Sequence, residues 1–270
     1  MIYIAVALGA EGKKIIDYYG LKRDNSIKKF QVFKNDRITL VITGVGMLNA
    51  LAGTVFLLTP GCEKSDILLN IGVCGAINRE KYSIGDVVLA NKVIDRNNGV
   101  VFYPDMVFNH PFKEGTLETF SHVVGENEEI LGDIVDMEGA GVAKGGSIFL
   151  DTSRIYMLKI VSDYLDGDVE DIGKIISEGM EKIDSWISKI ENFQVEEEVL
   201  NWEDLDRIES FAEKMRFTTT MTNEFKSLME YYVICGNPID EIIDEYKNIE
   251  IVRKNEVKKI FDEIRRKVAK

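Results

Sequence analysis

The sequence predicts an α/β protein: a central mixed, mostly parallel sheet flanked by helices, followed by a C-terminal all-helical extension. Three observations point there. Apolar runs of strand length alternate with helix-period segments through the first 190 residues, the pattern of a helix-covered sheet. Of the 22 glycines, 19 lie at or before Gly167, so the turn-rich part of the chain ends there. Charge is divided in the same place. Residues 1–165 carry 17 basic and 20 acidic side chains, while residues 166–270 carry 16 and 26. These shifts predict two domains, residues 1–193 and residues 194–270.

The elements follow in order. Ile2 to Leu8 is a continuous apolar run, as expected of a strand buried on both faces. It is too short for a membrane helix and has no basic leader, so it reads as a strand and not as a signal peptide. Ala10 to Tyr19 places Ile15, Ile16 and Tyr19 at helical spacing. Residues 29–33 and 37–43 are strand-like, with Lys34-Asn35-Asp36 as a hairpin turn. Gly44-Val45-Gly46 ends the second of these, and Met47 to Leu58 reads as a helix stopped by Thr59-Pro60-Gly61. Asp66 to Val73 is a buried strand, and Gly85 to Ala90 opens another. Residues 97–130 show no clear period. Met137 to Leu150 reads as a helix, Arg154 to Ser162 as a strong strand, and Val169 to Ile190 as an amphipathic helix. Beyond Glu196-Glu197-Glu198, helical patterns cover 203–216, 221–234, 238–247 and 254–268, with Asn237-Pro238 breaking two of them.

Composition narrows the chemistry. A net charge of −13 opposes broad binding to nucleic-acid phosphates or anionic lipid, so neither a nucleic acid nor a membrane is expected as partner. Three cysteines, far apart and odd in number, argue against a disulfide framework and fit a reducing cytoplasm. Two histidines without a neighbouring cysteine pair argue against a protein-built metal site, and no cofactor is expected. If the protein is an enzyme, its acid–base work therefore falls to carboxylates.

Ligands in sheets of this class sit beyond the carboxyl ends of strands, which singles out residues 9–12, 44–49, 73–77 and 162–168. Gly44-Val45-Gly46-Met47-Leu48-Asn49 follows a strand and opens a helix, but asparagine stands where a dinucleotide fingerprint has its third glycine. It can serve as a packing turn or as a ligand contact. Asn70-Ile71-Gly72-Val73-Cys74-Gly75-Ala76 is a second strand-to-glycine transition with the same two readings. Glu11, Glu138 and Asp163 each fall at a strand end or helix start. Singly, each fits a surface or capping carboxylate; together they form a candidate acid–base set.

These segments combine into a resemblance. In order, Ala5 to Glu11, Thr43 to Ala50, Asn70 to Ala76, Ile84 to Val88, Val135 to Gly139 and Ile160 to Asp163 resemble the nucleoside phosphorylase/nucleosidase superfamily, closest to its methylthioadenosine/S-adenosylhomocysteine nucleosidase branch. The resemblance covers about residues 1–190. It implies cleavage of the N-glycosidic bond of a purine-type nucleoside through an oxocarbenium-like transition state. By the same resemblance Asp163 is the general acid, Ser162 orients it, and Glu11 activates the attacking water. Glu138 holds the ribose hydroxyls, Met137 packs under the sugar, and Val73, Cys74, Gly75 and Gly44 line the substrate.

The resemblance further implies a homo-oligomer acting on a small-molecule nucleoside, with phosphate as the alternative nucleophile. Phosphorylases of this superfamily hold phosphate with arginines, and Gly9-Ala10-Glu11 and Ile84-Gly85-Asp86 supply none, so hydrolysis is favoured over phosphorolysis. The family brings an aromatic side chain onto the base. The stretch from His122 to Asp133 offers none in the expected place, leaving Phe120, Phe112 or Tyr103 as candidates. The rival reading is a non-catalytic nucleoside-binding or scaffold protein that works through its helical tail.

Overall fold

A computed structural model of the chain describes residues 1–125, 128–166, 171–191, 200, 202–249 and 254–268. The chain divides into two compact units, Met1–Phe193 and Gln194–Lys270. The junction anticipated near residue 193, with Glu196-Glu197-Glu198, lies outside the described residues, as do residues 169 and 170.

The first unit is built on a ten-stranded sheet. In chain order its elements begin with β1 (Ile2–Val6), α1 (Gly9–Tyr19), β2 (Lys22–Arg23), β3 (Gln31–Lys34), β4 (Ile38–Ile42), α2 (Met47–Leu58), β5 (Ile67–Ala76) and β6 (Val87–Asp95). They continue with β7 (Val101–Phe102), β8 (Lys113–Thr119), β9 (Ile134–Asp136), α3 (Gly139–Gly146), β10 (Ile155–Asp163) and α4 (Ile172–Glu191). The strand order is β10-β6-β8-β9-β5-β1-β4-β3-β2, with β7 beside β6 and a further pairing of β10 with β5. That extra pairing closes β5, β10, β6, β8 and β9 into a ring. The longest ladders, β10 with β5 and β6 with β8, are parallel, while β6 with β10 and β3 with β4 are antiparallel. The sheet is thus mixed and mostly parallel, as the sequence predicts.

The apolar strands are buried on both faces because helices cover both. Alternate residues of β1 enter different cores. Ile2, Ile4 and Val6 pack with Ile15 of α1 and with Ile176, Met180, Ile183 and Trp186 of α4. Tyr3 and Ala5 pack with Ala50, Leu57 and Leu58 of α2 and Val142 and Ala143 of α3. The stripe that marks α4 in the sequence is the stripe it buries, from Ile175 through Ile190.

Two differences from the sequence reading matter for the site. The segment without a clear period contains β7 and β8, with β9 just beyond it. These strands are short or half-exposed, and their apolar positions are too few to show a period. The glycine-rich helix is also shorter than Met137 to Leu150: β9 ends at Asp136, Glu138 stands at the helix N-cap, and the helix closes at Gly146 with Ser147 as its C-cap.

The second unit contains α5 (Trp202–Lys214), α6 (Thr219–Ile234), α7 (Asp240–Tyr246) and α8 (Lys254–Val268). Ile208, Phe211, Phe225, Met229, Ile242, Phe261 and Ile264 form its apolar core. Thr218 caps α6 by accepting the Met221 N–H. No helix of the described residues is long and apolar enough to cross a membrane.

Candidate active site

The first unit holds a cavity of about 470 Å³ at the carboxyl ends of β1, β5, β9 and β10. Its position follows from strand pairing. On one side β5 pairs with β1 as far as Asn70, and with β9 only from Gly75. Between those residues the strand edge is open, and the cavity forms there.

Glu11 occupies one wall. It lies in the first turn of α1 and reaches back across the opening. Oε2 accepts the N–H groups of Ala7 and Leu8 at 3.1 and 2.8 Å, and Oε1 accepts the N–H of Val73 at 2.9 Å. The carboxyl thereby satisfies both the helix start and the open edge of β5. Its pKa is raised, chiefly by burial, with the three backbone donors and Lys159 acting against that shift. Among the described residues Oε1 has a single donor, so it keeps a lone pair for a water molecule.

Glu138 stands at the start of α3. Its Oε1 accepts the N–H of Gly46 at 2.7 Å. Gly46 has φ 98°, a left-handed value suited to glycine, and this aims its N–H at the carboxylate. Burial again raises the Glu138 pKa, Lys159 lowers it, and Asp136 raises it.

Behind both glutamates lies an ion pair that the sequence reading did not single out. Lys159 Nζ is 2.7 Å from Asp136 Oδ2, and both side chains are almost wholly buried. Asp136 also accepts Thr119 Oγ1 and the Gly139 N–H, each at 2.7 Å, which ties β8, β9, α3 and β10 together. The Lys159 pKa is lowered by burial and raised more strongly by Asp136, Glu138 and Glu11, so the net shift is upward. One buried cation therefore serves three carboxylates.

Asp163 ends β10. The register of β10 against β5 shifts between Val161 and Asp163, so Ser162 is an extra residue, and the irregularity turns Asp163 toward the cavity. Ser162 Oγ donates to Asp163 Oδ2 at 2.7 Å and lies 3.2 Å from the Cys74 carbonyl. Leu165 N–H donates to Asp163 Oδ1 at 2.9 Å. Gly75 faces this group. A Cβ there would lie 2.4 Å from Leu165 Cδ2 and 3.0 Å from Asp163 Oδ1, so a larger residue would force the Leu165 side chain to move.

The cavity wall brings together Glu11, Val73, Cys74, Gly75, Met137, Glu138, Ser162 and Asp163, all singled out from the sequence. Gly44 is not on it; Val45 is. Nor do Phe120, Phe112 or Tyr103 reach it. Phe120 is buried beside Val124 and Val135, Phe112 packs edge-on against Trp186, and Tyr103 is 61% exposed. The aromatic ring on the described wall is the imidazole of His122, paired with Glu128 at 2.9 Å and set edge-on to Phe120. Burial pushes the Cys74 thiol well above its ordinary range, which makes it an inert wall residue at neutral pH. Among the described residues, no group of three or more histidine, cysteine or acidic side chains is arranged to hold a metal ion.

Comparison with known proteins shows what the fold resembles. Residues 2–122 match the model of the phosphorylase superfamily. The fold of the first unit is shared with solved nucleosidase structures. No curated protein sequence matches the chain. Among solved structures, the Helicobacter pylori 5'-methylthioadenosine/S-adenosylhomocysteine nucleosidase superposes with a TM-score of 0.59 at 17% identity, over 70% of this chain and 97% of that one. The Arabidopsis thaliana 5'-methylthioadenosine nucleosidase gives 0.61 at 20% identity, over 72% and 96%. The Helicobacter pylori futalosine hydrolase gives 0.59 at 17%, over 70% and 97%. Nearly the whole length of each of these three structures is spanned.

Proposed function

We propose that the first unit is a nucleosidase, hydrolysing the N-glycosidic bond of a purine-type nucleoside such as methylthioadenosine or adenosylhomocysteine. One observation carries the reading. Glu11, Glu138 and Asp163 converge on one cavity whose described wall contains no lysine or arginine. Such a wall suits a sugar that becomes cationic in the transition state, and it disfavours a phosphate dianion.

The C1'–N bond breaks with its electron pair going to the base. Asp163, as the carboxylic acid, places its proton on a base nitrogen and is left as carboxylate. Glu138 accepts hydrogen bonds from the ribose hydroxyls. A water on Glu11 attacks C1' and gives its proton to Glu11, and solvent exchange resets both groups. The arrangement parallels paired-carboxylate glycoside hydrolysis. Ala7, Leu8 and Val45 offer an apolar wall to a thioether substituent at C5'.

The test is base release from methylthioadenosine, adenosylhomocysteine, adenosine and inosine, each with and without phosphate. Release that does not depend on phosphate supports the reading. Release from none of them overturns it.

A further inference from the structure

Two residues beyond Asp163 the backbone is strained. Leu165 has φ 64°, the left-handed conformation that residues bearing a Cβ avoid. The strain has a local result: the Leu165 N–H reaches Asp163 Oδ1 at 2.9 Å. With Ser162 Oγ on Oδ2, the plane of the carboxyl group is fixed from both sides.

Unfavourable conformations of this kind persist only where the surroundings hold them. Both neighbours of Leu165 are held, and by the same side chain. The Arg79 guanidinium lies over the Tyr164 ring, 4.4 Å from its centroid, and its Nη2 is 2.7 Å from Asp166 Oδ2. Tyr164 is anchored further by its hydroxyl, which donates to the Tyr82 carbonyl at 3.1 Å. A planar guanidinium can stack and form an ion pair at once, which an ammonium group does poorly. Arg79 itself is not on the cavity wall.

We propose that Arg79 is a positioning residue: it grips Tyr164 and Asp166, holds Leu165 left-handed between them, and so aims the Asp163 carboxyl group at the leaving base. The inference rests on the nucleosidase reading. It differs from a plain surface ion pair, which contributes little to any property of a protein.

The experiment compares wild type, Arg79→Ala, Leu165→Gly and the double variant, using the nucleoside of the panel that turns over fastest. Arg79→Ala lowers kcat about tenfold, the effect of releasing strain of ordinary size, and leaves KM within about twofold. Glycine adopts the left-handed conformation without steric cost, so in the Leu165→Gly background the same change costs less than about twofold. A second substrate, 4-nitrophenyl riboside, has a leaving group that departs as an anion without protonation. Its hydrolysis is insensitive to Arg79→Ala. Equal losses in both backgrounds, equal losses on both substrates, or no loss at all overturn the clamp. A wild-type protein that releases no base overturns the nucleosidase reading instead.

Discussion

The two units bury different things. In the first, the described core includes Glu11, Glu118, Asp136, Glu138 and Lys159, each under 10% exposed. In the second, the buried described side chains are apolar, and its ion pairs are exposed, such as Lys247 with Asp244 and Arg265 with Asp262. Burying charge opposes folding unless it is paired and hydrogen-bonded, whereas an apolar helical core needs no such arrangement. The first unit accepts that cost around a cavity at strand ends. Its lysine, carboxylates and backbone donors are interlocked, so few of them can change alone. The second unit has the energetics of an ordinary helical domain, where each core residue contributes by its volume.

Single substitutions in each unit test this contrast. The largest effect is expected at Asp163. Asp163→Asn keeps the size of the group but cannot donate an acidic proton, so kcat falls about 10²- to 10⁴-fold while circular dichroism is unchanged. Full activity in this variant would remove Asp163 as the acid. Next is Lys159→Met, which strands Asp136, Glu11 and Glu138 without their cation. Loss of one partner of a buried pair destabilises by about 3–5 kcal/mol, read as a fall in the denaturant midpoint. A midpoint near wild type would mean that Lys159 does not hold this cluster together. Of comparable size in stability is Phe225→Ala in the second unit, at about 3–5 kcal/mol from lost burial and the cavity left behind. It should loosen the helical unit and leave base release intact, because the proposed chemistry uses first-unit residues alone. Loss of base release would show that the tail takes part. The smallest effect is Lys247→Ala, on an exposed pair, at less than about 0.5 kcal/mol in the same unfolding measurement.

Much of the fold was legible because helices cover both faces of the sheet. Strands β1, β5 and β10 stand out as apolar runs for that reason, and α4 shows its stripe because one face is buried. Strands β8 and β9 were hidden. Ile134–Asp136 is too short to show a period, and its place is set by pairing with β8 and β5. At the site, Glu11, Glu138 and Asp163 were found through ordered motifs. Lys159 and Asp136 were not, since a lysine in sequence is ordinarily an exposed one. A signal existed: Lys159 interrupts the run Ile155-Tyr156-Met157-Leu158 before Ile160-Val161, inside a strand buried on both faces. Such a lysine requires a buried acid. His122 in place of Phe120 on the wall could not be read, because the path of the loop after β8 depends on Glu118. That buried carboxylate accepts the Leu131 and Gly132 N–H groups and pairs with Arg96.

The pH dependence sharpens the role of Glu11. Burial raises its pKa, and only its ionised form can take a proton from water. Turnover should therefore rise as pH increases through that raised value, and Glu11→Gln should abolish the rise along with most of the activity. The same shift has a sign for stability. A carboxyl whose folded pKa is raised favours the folded state when protonated, so ionising Glu11 or Glu138 weakens the first unit as pH rises.

In the proposed reaction water on Glu11, and not phosphate, attacks the sugar. Base release carried out in ¹⁸O-labelled water with phosphate present decides it. The expected product is a free sugar carrying the label on its C1 hydroxyl, formed at a rate that phosphate does not change. An unlabelled sugar 1-phosphate, formed only when phosphate is added, would contradict it.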